Sequence, residues 1–279
     1  MKIGIRAHDL GTFKLETIDS FISEINRYGF NDIQLVLWKS FEDIDPYLNN
    51  LTEDKVKYIS EKLKKSNINI IVLGAYYNMI SLDDNERNMG ENRYLKSLEL
   101  LKEFNGGVVA SETGSYNCDF SFNEKNHSDE AYNIVLNAFK KFTKFSENIN
   151  VNCALEPVYR LTIWNVDIVK KIIEDINSNN FKIVFDPVNI IDISNYEYQD
   201  EMIEKAFEYF GKKIETVHFK DFIINNNKLE VVSPGRGILN YSLLLKKMKE
   251  YGVNGILDEI KKSDIEFSKQ YIENIYHNL

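Results

Sequence analysis

Four acidic or imidazole side chains lie at the ends of apolar, strand-like segments in the second half of the chain. Glu156 follows VNCAL, Asp186 follows KIVF, His218 follows ETV and Glu259 follows GILD. A single acid after a strand is commonly a helix N-cap or a solvated loop residue, and a single histidine in an apolar strand is commonly a hydrogen-bonded core residue. Their recurrence at the same depth of four consecutive segments favours a shared site instead.

Three carboxylates and one imidazole are a suitable ligand set for a divalent cation. Carboxylates that meet in a desolvated pocket repel one another, and a cation removes that repulsion. Hard oxygen ligands together with one imidazole suit Mn²⁺, Mg²⁺, Co²⁺ or Zn²⁺. We therefore predict one divalent metal ion bound by Glu156, Asp186, His218 and Glu259. Because a shift of one residue exchanges the two faces of a strand, Asp258 is the alternative to Glu259.

Eight strand-like segments alternate with amphipathic helical segments along the whole chain. The predicted strands span residues 2–7, 32–38, 68–76, 106–112, 151–157, 181–187, 214–220 and 255–260. The first predicted helix shows the helical pattern, because apolar residues recur at i, i+3, i+4 and i+7 from Ile18 to Ile25. Strict alternation implies parallel strands with crossover helices, and eight such units fit a (β/α)8 TIM barrel. We predict this α/β fold as a single domain over residues 1–279.

A doubly wound open sheet is the alternative architecture. Such sheets commonly carry a GxGxxG motif after the first strand, whereas this chain has RAHDLG there, which favours the barrel. In a barrel, alternate residues of each strand face the interior, and functional residues gather at the carboxyl ends of the strands. The bulky Ile183 and Phe185 are expected to pack under the helices. Asp186 is then expected to face inward at the rim, and the same alternation turns Glu156 inward.

The charge balance argues against a general nucleic-acid binder. The 279 residues include 34 basic and 43 acidic side chains, giving a formal net charge of −9, whereas binding a nucleic-acid backbone needs a basic surface. No segment approaches the roughly 18 apolar residues of a membrane span, and the start MKIGIRAHDLG lacks the features of a secretory signal. We expect a cytoplasmic protein without nucleic-acid or membrane partners. Cys118 and Cys153 have no metal-ligand spacing, and each is expected to be a small buried residue.

The chain resembles the xylose isomerase-like TIM barrel superfamily of sugar phosphate isomerases and epimerases. The resemblance covers essentially the whole chain and rests on ALEPV, VFDPVN, VHFKD, SPGRGILNY and ILDEI in this order. It implies that Glu156, Asp186, His218 and Glu259 hold one divalent metal ion, and that Glu156 and Glu259 exchange protons with a sugar. Barrels of this kind often pair, so a homo-oligomer stays open.

The same resemblance implies a divalent-metal-dependent isomerase or epimerase of carbohydrate metabolism. Its substrate would be a sugar, a sugar phosphate or a related keto compound. A metal that chelates a carbonyl and the neighbouring hydroxyl stabilises the enediolate that forms when the α-proton leaves. Two carboxylates on opposite faces of that planar intermediate can each take or return a proton.

Further residues are expected to line the substrate pocket: Arg6, His8, Glu112, Arg160, Asn189, Lys220 and Arg236. Lys220 lies two residues after His218 and therefore shares its inward face. Asn189 and Arg160 stand where many epimerases carry histidine, and the arginine points to a substrate more acidic than a plain sugar. Arg236, in SPGRG, is the candidate for binding an anionic group, because glycines allow close backbone approach and the later βα loops of barrels often hold phosphate.

Three other functions stay open on the sequence. An inosose dehydratase-like lyase would use the same metal and the same acid/base pair to eliminate water. An endonuclease IV-like nuclease needs several metal ions, and hence more histidines than His218 and His8 at strand ends. A non-catalytic sugar-binding protein would not need both Glu156 and Glu259, so their presence weighs against it.

Overall fold

Strands and helices alternate through the computed structural model, which describes residues 1–104 and 106–279. The strands are β1 (Ile3–Arg6), β2 (Asp32–Leu35), β3 (Asn69–Gly74), β4 (Val108–Ser111), β5 (Asn152–Leu155), β6 (Phe181–Phe185), β7 (Ile214–Phe219), β8 (Asp221–Asn225), β9 (Lys228–Val232) and β10 (Asn254–Leu257). The α-helices are α1 (Ile18–Arg27), α2 (Leu37–Ser40), α3 (Glu53–Lys65), α4 (Asp84–Phe104), α5 (Asp129–Ile149), α6 (Val166–Ile176), α7 (Gln199–Phe210), α8 (Tyr241–Tyr251) and α9 (Ile265–His277).

Eight of the strands close into a parallel barrel. Their spatial order is β1-β10-β7-β6-β5-β4-β3-β2, and the barrel is closed where Ile3 of β1 pairs with Gly255 of β10. Each predicted strand segment overlaps one barrel strand. The (β/α)8 barrel is therefore confirmed, and the doubly wound alternative is excluded because such a sheet has two open edges.

The barrel separates two apolar layers. A small inner cluster fills the barrel and consists of Val72, Val108, Ala110, Ala154, Val184 and Ile256. The larger outer core lies between strands and helices and includes Ile183 and Phe185, as expected from their bulk. The helix pattern is also confirmed, since Ile18 and Ile25 of α1 are fully buried. Because side chains alternate along a strand, the inner cluster identifies which residues continue inward at the rim.

The hairpin of β8 and β9 was not predicted. Its two strands pair antiparallel, with Asn225 opposite Lys228. The turn residues Asn226 and Asn227 have φ of 49° and 59°, the left-handed backbone that a two-residue type I′ hairpin turn requires and that asparagine tolerates. The asparagine run is the sequence signal for this turn. The hairpin follows β7 directly and so forms part of the rim beside the predicted site.

The two cysteines differ in environment. Cys153 is buried and its Sγ lies 3.3 Å from Thr143 Oγ1, as expected. Cys118 is exposed, so the prediction of burial was wrong for this residue, which lies on the long loop between β4 and α5 and outside the apolar layers. Within the described part of the chain, no helix combines the length and the apolar character needed to cross a bilayer.

Candidate metal and substrate site

Three of the predicted ligands meet at the carboxyl end of the barrel. Glu156 follows β5, Asp186 follows β6 and His218 lies in β7, and all three are buried. One ligand atom from each lies within 4.8 Å of the others, and His218 Nδ1 is 3.1 Å from Glu156 Oε1. Their inward direction follows from the pleat, because Ala154 and Val184 of the inner cluster precede the two acids by two residues.

Asp186 accepts backbone hydrogen bonds with one carboxylate oxygen and faces the ligand group with the other. Its Oδ1 accepts hydrogen bonds from the backbone N–H of Val188 at 2.9 Å and of Asn189 at 3.2 Å. This is the capping role that an acid after a strand commonly has. Oδ2 stays free of these bonds and lies 3.1 Å from the Lys220 ammonium. The cap therefore fixes the carboxylate so that its second oxygen points into the cluster.

The last strand presents Asp258, and not Glu259, to this cluster. Ile256 belongs to the inner cluster and is paired with His218, so Asp258, two residues later, faces the same way. Its Oδ2 is 3.9 Å from His218 Nδ1. The side chain of Glu259 is 46% exposed. The structure thus places Asp258, the register alternative, on the inward face beside the three-residue ligand group, and the side chain of Glu259 at its exposed edge.

Glu259 nevertheless reaches the mouth of the barrel by an unusual backbone turn. Its φ is +52°, in the left-handed region, which costs a non-glycine residue roughly 1–2 kcal/mol. In an extended strand, neighbours such as Asp258 and Glu259 would point to opposite faces. The turn breaks that alternation, so that Glu259 Oε2 lies 3.4 Å from Lys220 Nζ while Asp258 Oδ2 lies 2.9 Å from the same atom.

Lys220 is the cation among these acids. It is 4% exposed, and besides its ion pairs it donates to Asn189 Oδ1 at 3.2 Å. Burial alone would lower the pKa of Lys220, but Asp186, Asp258 and Glu259 raise it well above its ordinary value. The ammonium therefore stays charged and offsets part of the repulsion between the carboxylates.

The pKa shifts of the cluster run in both directions. Burial alone would lower the pKa of His218, yet Glu156 and Asp258 raise it to about 9. Burial raises the pKa of Asp186 to about 6. Burial, together with the charge of Glu156, raises the pKa of Glu112 to about 7. Burial alone would also raise the pKa of Glu156 and of Asp258, but His218 lowers the first and Lys220 the second, so these two acids stay ionised beside the cations.

Glu156, Lys220 and Asp258, among others, border a cavity of about 320 Å³ at the mouth of the barrel. The lining residues are Arg6, His8, Gln34, Trp38, Lys39, Tyr76, Arg93, Glu112, Phe120, Glu156, Arg160, Lys220, Asp258 and Glu259. Tyr76 ties the wall to the ligand group, because its hydroxyl donates to Glu156 Oε2 at 3.0 Å and accepts from Gln34 Nε2 at 3.1 Å. The volume is at the small end of the range for small-molecule sites.

The model of the xylose isomerase-like TIM barrel family matches residues 22–259. The chain belongs to this family. Solved structures with the same fold include a D-tagatose 3-epimerase-like protein at 20% identity, covering 100% of this chain and 98% of the other with a TM-score of 0.76. The IOLI protein with a bound zinc atom is 17% identical, with 100% and 99% coverage and a TM-score of 0.75.

A third solved structure is 3-keto-D-glucoside 4-epimerase, YcjR, from E. coli. It is 16% identical, covers 98% of this chain and 99% of the other, and has a TM-score of 0.72. None of the curated proteins matches the chain. At these identities the structural likeness establishes the fold, and the chemistry of this family member has to be argued from its own residues.

The donor set of this xylose isomerase-like barrel fits a divalent metal ion. Carboxylate oxygens and imidazole nitrogens are ligands that bind divalent ions such as Zn²⁺, and His218 Nδ1 and Glu156 Oε1 lie within hydrogen-bonding distance of each other at 3.1 Å. Oδ2 of Asp186 forms an ion pair with the Lys220 ammonium at 3.1 Å, and His218 Nε2 is buried without a hydrogen-bond partner among the described residues. Glu156, Asp186 and His218 would hold the ion, and Asp258 is placed to add a fourth oxygen.

Of the remaining predicted pocket residues, five line the cavity and two, Asn189 and Arg236, do not. Arg6, His8, Glu112, Arg160 and Lys220 line the cavity. Asn189 is committed to the ligand group, because its Nδ2 donates to Glu156 Oε1 at 2.9 Å. Arg236 lies outside the cavity lining, where its guanidinium is 3.4 Å from Asp264 Oδ1 and 3.8 Å from the Phe267 ring centroid.

The glycine-rich SPGRG loop has an internal partner. The carboxylate of Asp221 accepts four backbone N–H groups: Phe222 and Leu239 donate to Oδ1 at 2.9 Å each, and Gly235 and Gly237 donate to Oδ2 at 3.0 and 2.9 Å. A Cβ on Gly237 would lie 2.3 Å from Asp221 Oδ1. The glycines therefore let the loop close on Asp221, and these amides are not available to a phosphate.

Three cavity residues with amide or basic side chains had no role in the sequence analysis: Gln34, Lys39 and Arg93. Gln34 has a readable signal, since it is the one polar residue inside the apolar segment IQLVL. Lys39 directly follows the second predicted strand. Arg93 lies in the middle of α4, and only the packing of that helix over the barrel brings it to the cavity.

Proposed function

We propose that this protein is a divalent-metal-dependent isomerase or epimerase of a sugar, a sugar phosphate or a related keto compound. The observation that carries the proposal is the buried group of Glu156, Asp186 and His218, whose ligand atoms lie within 4.8 Å of one another, together with the polar cavity at the mouth of the barrel that Glu156 lines. Buried acids without a structural need are costly. Their presence beside a cavity is explained if they bind an ion and act on a substrate.

The ion would supply electrophilic stabilisation of the negative charge that develops on a substrate carbonyl oxygen. Glu156, Asp186 and His218 would hold it, and Asp258 is placed to add a fourth oxygen. Lys220 is fixed between Asp258 and Asp186 and keeps these carboxylates apart in a defined arrangement. The chain thereby presents an ordered site, which lowers the cost of organising the transition state.

Glu156 and Glu259 are the proposed proton-transfer pair. Both line the cavity, and they come from β5 and β10, three places apart around the barrel. A carboxylate on either side of a planar enediolate takes a proton from one face and returns one to the other, which inverts the carbon. The left-handed backbone at Glu259 supports this role, because strained residues that persist are concentrated at functional sites.

The chemistry of solved relatives supports the reaction class. Besides the proteins described above, they include D-psicose 3-epimerase at 14% identity and L-ribulose 3-epimerase at 13%. Two were seen with metal ions: IOLI with zinc, and a protein from Mycobacterium smegmatis with magnesium. Their substrates differ, so they support metal-assisted carbohydrate chemistry and leave this chain's own substrate to experiment.

A dehydratase is the second candidate. A relative at 15% identity is the probable 3-DHS dehydratase AsbF from Bacillus anthracis. In this chain, Glu156 or Glu259 would remove the α-proton, and the Lys220 ammonium, which lines the same cavity, would donate a proton to the leaving hydroxyl. Elimination would release water and leave an unsaturated product, which inversion does not.

The test is a substrate screen in D₂O with added Mn²⁺. Wild-type protein is expected to incorporate solvent deuterium next to the carbonyl of at least one ketose or keto acid, and Glu259→Gln is expected to slow that exchange by about 100-fold or more. Glu208→Gln, an exposed glutamate of α7, is the matched control. An unchanged rate in Glu259→Gln would refute its role in proton transfer.

Two further measurements separate the candidates. Metal analysis should give about one divalent ion per chain, whereas several ions would favour nuclease chemistry. Mass spectrometry of the reaction should show products of unchanged mass apart from deuterium. A product lighter than its substrate by one water molecule would identify the lyase. If neither metal nor exchange were found, the protein would be a binding protein and the proposal would fail.

A further inference from the structure

The cavity has a second wall opposite the acidic ligand group. Its residues are His8, which follows β1, Trp38 and Lys39 of α2, which follows β2, and Arg93 of α4. In the spatial order of the barrel, β1 lies four places from β5, and β2 lies four places from β6. In an eight-stranded barrel these are opposite positions. We call His8, Lys39 and Arg93 the basic wall.

Arg93 is a buried guanidinium without a carboxylate. It is 7% exposed, and within the described residues it forms no ion pair. It donates to the carbonyl oxygens of Pro46, at 2.7 Å, and Tyr76, and its Cζ lies 4.2 Å from the Trp38 ring centroid. Among the same residues, Nε has no hydrogen-bond partner. A guanidinium has five N–H donors. Two of them form the hydrogen bonds to these carbonyl oxygens, so three remain for a ligand.

The two other members of the basic wall also lack acidic partners. Lys39 forms no ion pair among the residues that the structure describes, in contrast to Arg6 and Lys220 of the same cavity, which are paired with acids. His8 is half-buried, and burial together with the charges of Arg6 and Lys39 lowers its pKa to about 3. His8 is therefore neutral, and its Nδ1 is buried without a hydrogen-bond partner in the described part of the chain.

Arg93 is the buried cation of the basic wall, and an anion would stabilise it. Burying a guanidinium without a counter-charge is unfavourable, and stacking on Trp38 offsets only part of that cost. Oxyanions are the natural partners, because guanidinium and ammonium groups bind phosphate and carboxylate through short, charge-assisted hydrogen bonds. Burial lowers the pKa of Arg93 to about 10, so it remains charged at neutral pH.

We propose that the basic wall binds an oxyanion group, a phosphate or a carboxylate, at the end of the substrate remote from the reacting carbon. The substrate is then an anionic sugar derivative: a ketose phosphate or a keto acid. This inference rests on the proposed function for the position of the reacting carbon, which lies at the acidic group. The anion site itself rests only on the residues of the basic wall.

The site also differs from the one expected from the sequence. Arg236 was the candidate for an anionic group, but it faces Asp264 outside the cavity, and the amides of its loop bind Asp221. Arg160 lines the cavity, but its charge acts first on Glu112, whose pKa it lowers against the effect of burial.

The anion site is tested by binding, without turnover. Trp38 and Trp164 are the two tryptophans of the chain, and Trp164 stacks on His127. In a Trp164→Phe background, Trp38 therefore reports on Arg93. Inorganic phosphate and acetate are titrated separately at constant ionic strength, by tryptophan fluorescence and by isothermal titration calorimetry. The relative affinity of the two anions distinguishes a phosphate site from a carboxylate site.

Saturable binding of at least one anion is expected, weakened about tenfold in Lys39→Gln and in Arg93→Lys. Lys39 is exposed, so its variant should fold even if Arg93→Lys does not. Lys144→Gln, an exposed lysine of α5, removes the same charge elsewhere and should bind like wild type. The proposal is overturned if neither anion binds saturably, or if Lys39→Gln binds both as tightly as the control.

The two proposals fail separately. Anion binding should persist in Glu156→Gln, which removes the proton-transfer pair and leaves the basic wall intact. If the anion site is present and no substrate exchanges deuterium, the proposed function fails alone. If neutral ketoses exchange as fast as their phosphates and acids and no anion binds, the basic-wall inference fails alone.

Discussion

Replacing Asp221 by asparagine should destabilise the fold strongly while leaving the side-chain volume almost unchanged. Each carboxylate oxygen accepts two backbone N–H groups at 2.9–3.0 Å. In the variant, the amide nitrogen replaces one oxygen and faces two donors that it cannot accept from. Two hydrogen bonds to a charged group, each worth about 1.5–3 kcal/mol, are then lost. The expected loss in the free energy of unfolding is about 3–6 kcal/mol.

Urea unfolding, followed by circular dichroism, measures this loss. The midpoint should fall without a change in the slope of the transition. Asp167→Asn, at an exposed position in the first turn of α6, is the matched control and should change the stability by no more than about 1 kcal/mol. If Asp221→Asn were as stable as this control, the carboxylate would not organise the SPGRG loop, and the reasoning would be refuted.

Two further predictions follow from the burial of particular side chains. Asp258→Asn should weaken Mn²⁺ or Zn²⁺ binding by at least about tenfold in calorimetry, and Glu259→Gln by much less. The reason is that, of these two acids, Asp258 shares the inward face of His218. A larger loss of metal affinity in Glu259→Gln than in Asp258→Asn would place Glu259 in the ligand group. In native protein at pH 8, a thiol reagent should modify Cys118 rapidly and Cys153 only after unfolding. Cys118 is exposed. Burial raises the pKa of Cys153 to about 11, so little of its thiolate is present at pH 8. Two equally fast thiols would contradict this.

The barrel was predictable because its signals are repeated and local. Eight apolar segments alternate with amphipathic ones, and a single misread segment would not change the fold. Glu156, Asp186 and His218 were predictable for the same reason, since each ends or lies in a strand whose two faces differ clearly in bulk.

The last acid was not predictable in the same way. In GILDEI, Asp258 and Glu259 are adjacent carboxylates, and the apolar residues before them do not distinguish the inner face from the outer one. The left-handed backbone at Glu259 then allows both carboxylates to reach Lys220. The alternation of side chains along a strand does not predict such a pair. Arg93 was missed because its position depends on where a 21-residue helix packs, and Arg236 was misplaced because its loop closes on Asp221.

The capping role of Asp186 has a consequence for which ions the site would select. Since Oδ1 is held by two backbone amides, this carboxylate can offer only one oxygen. Glu156 is similarly restricted, because its Oε2 is occupied by Tyr76. Calcium prefers six to eight oxygens and often takes both atoms of a carboxylate. A centre limited to single-oxygen acids and an imidazole discriminates against calcium by denticity, and favours smaller ions of lower coordination number.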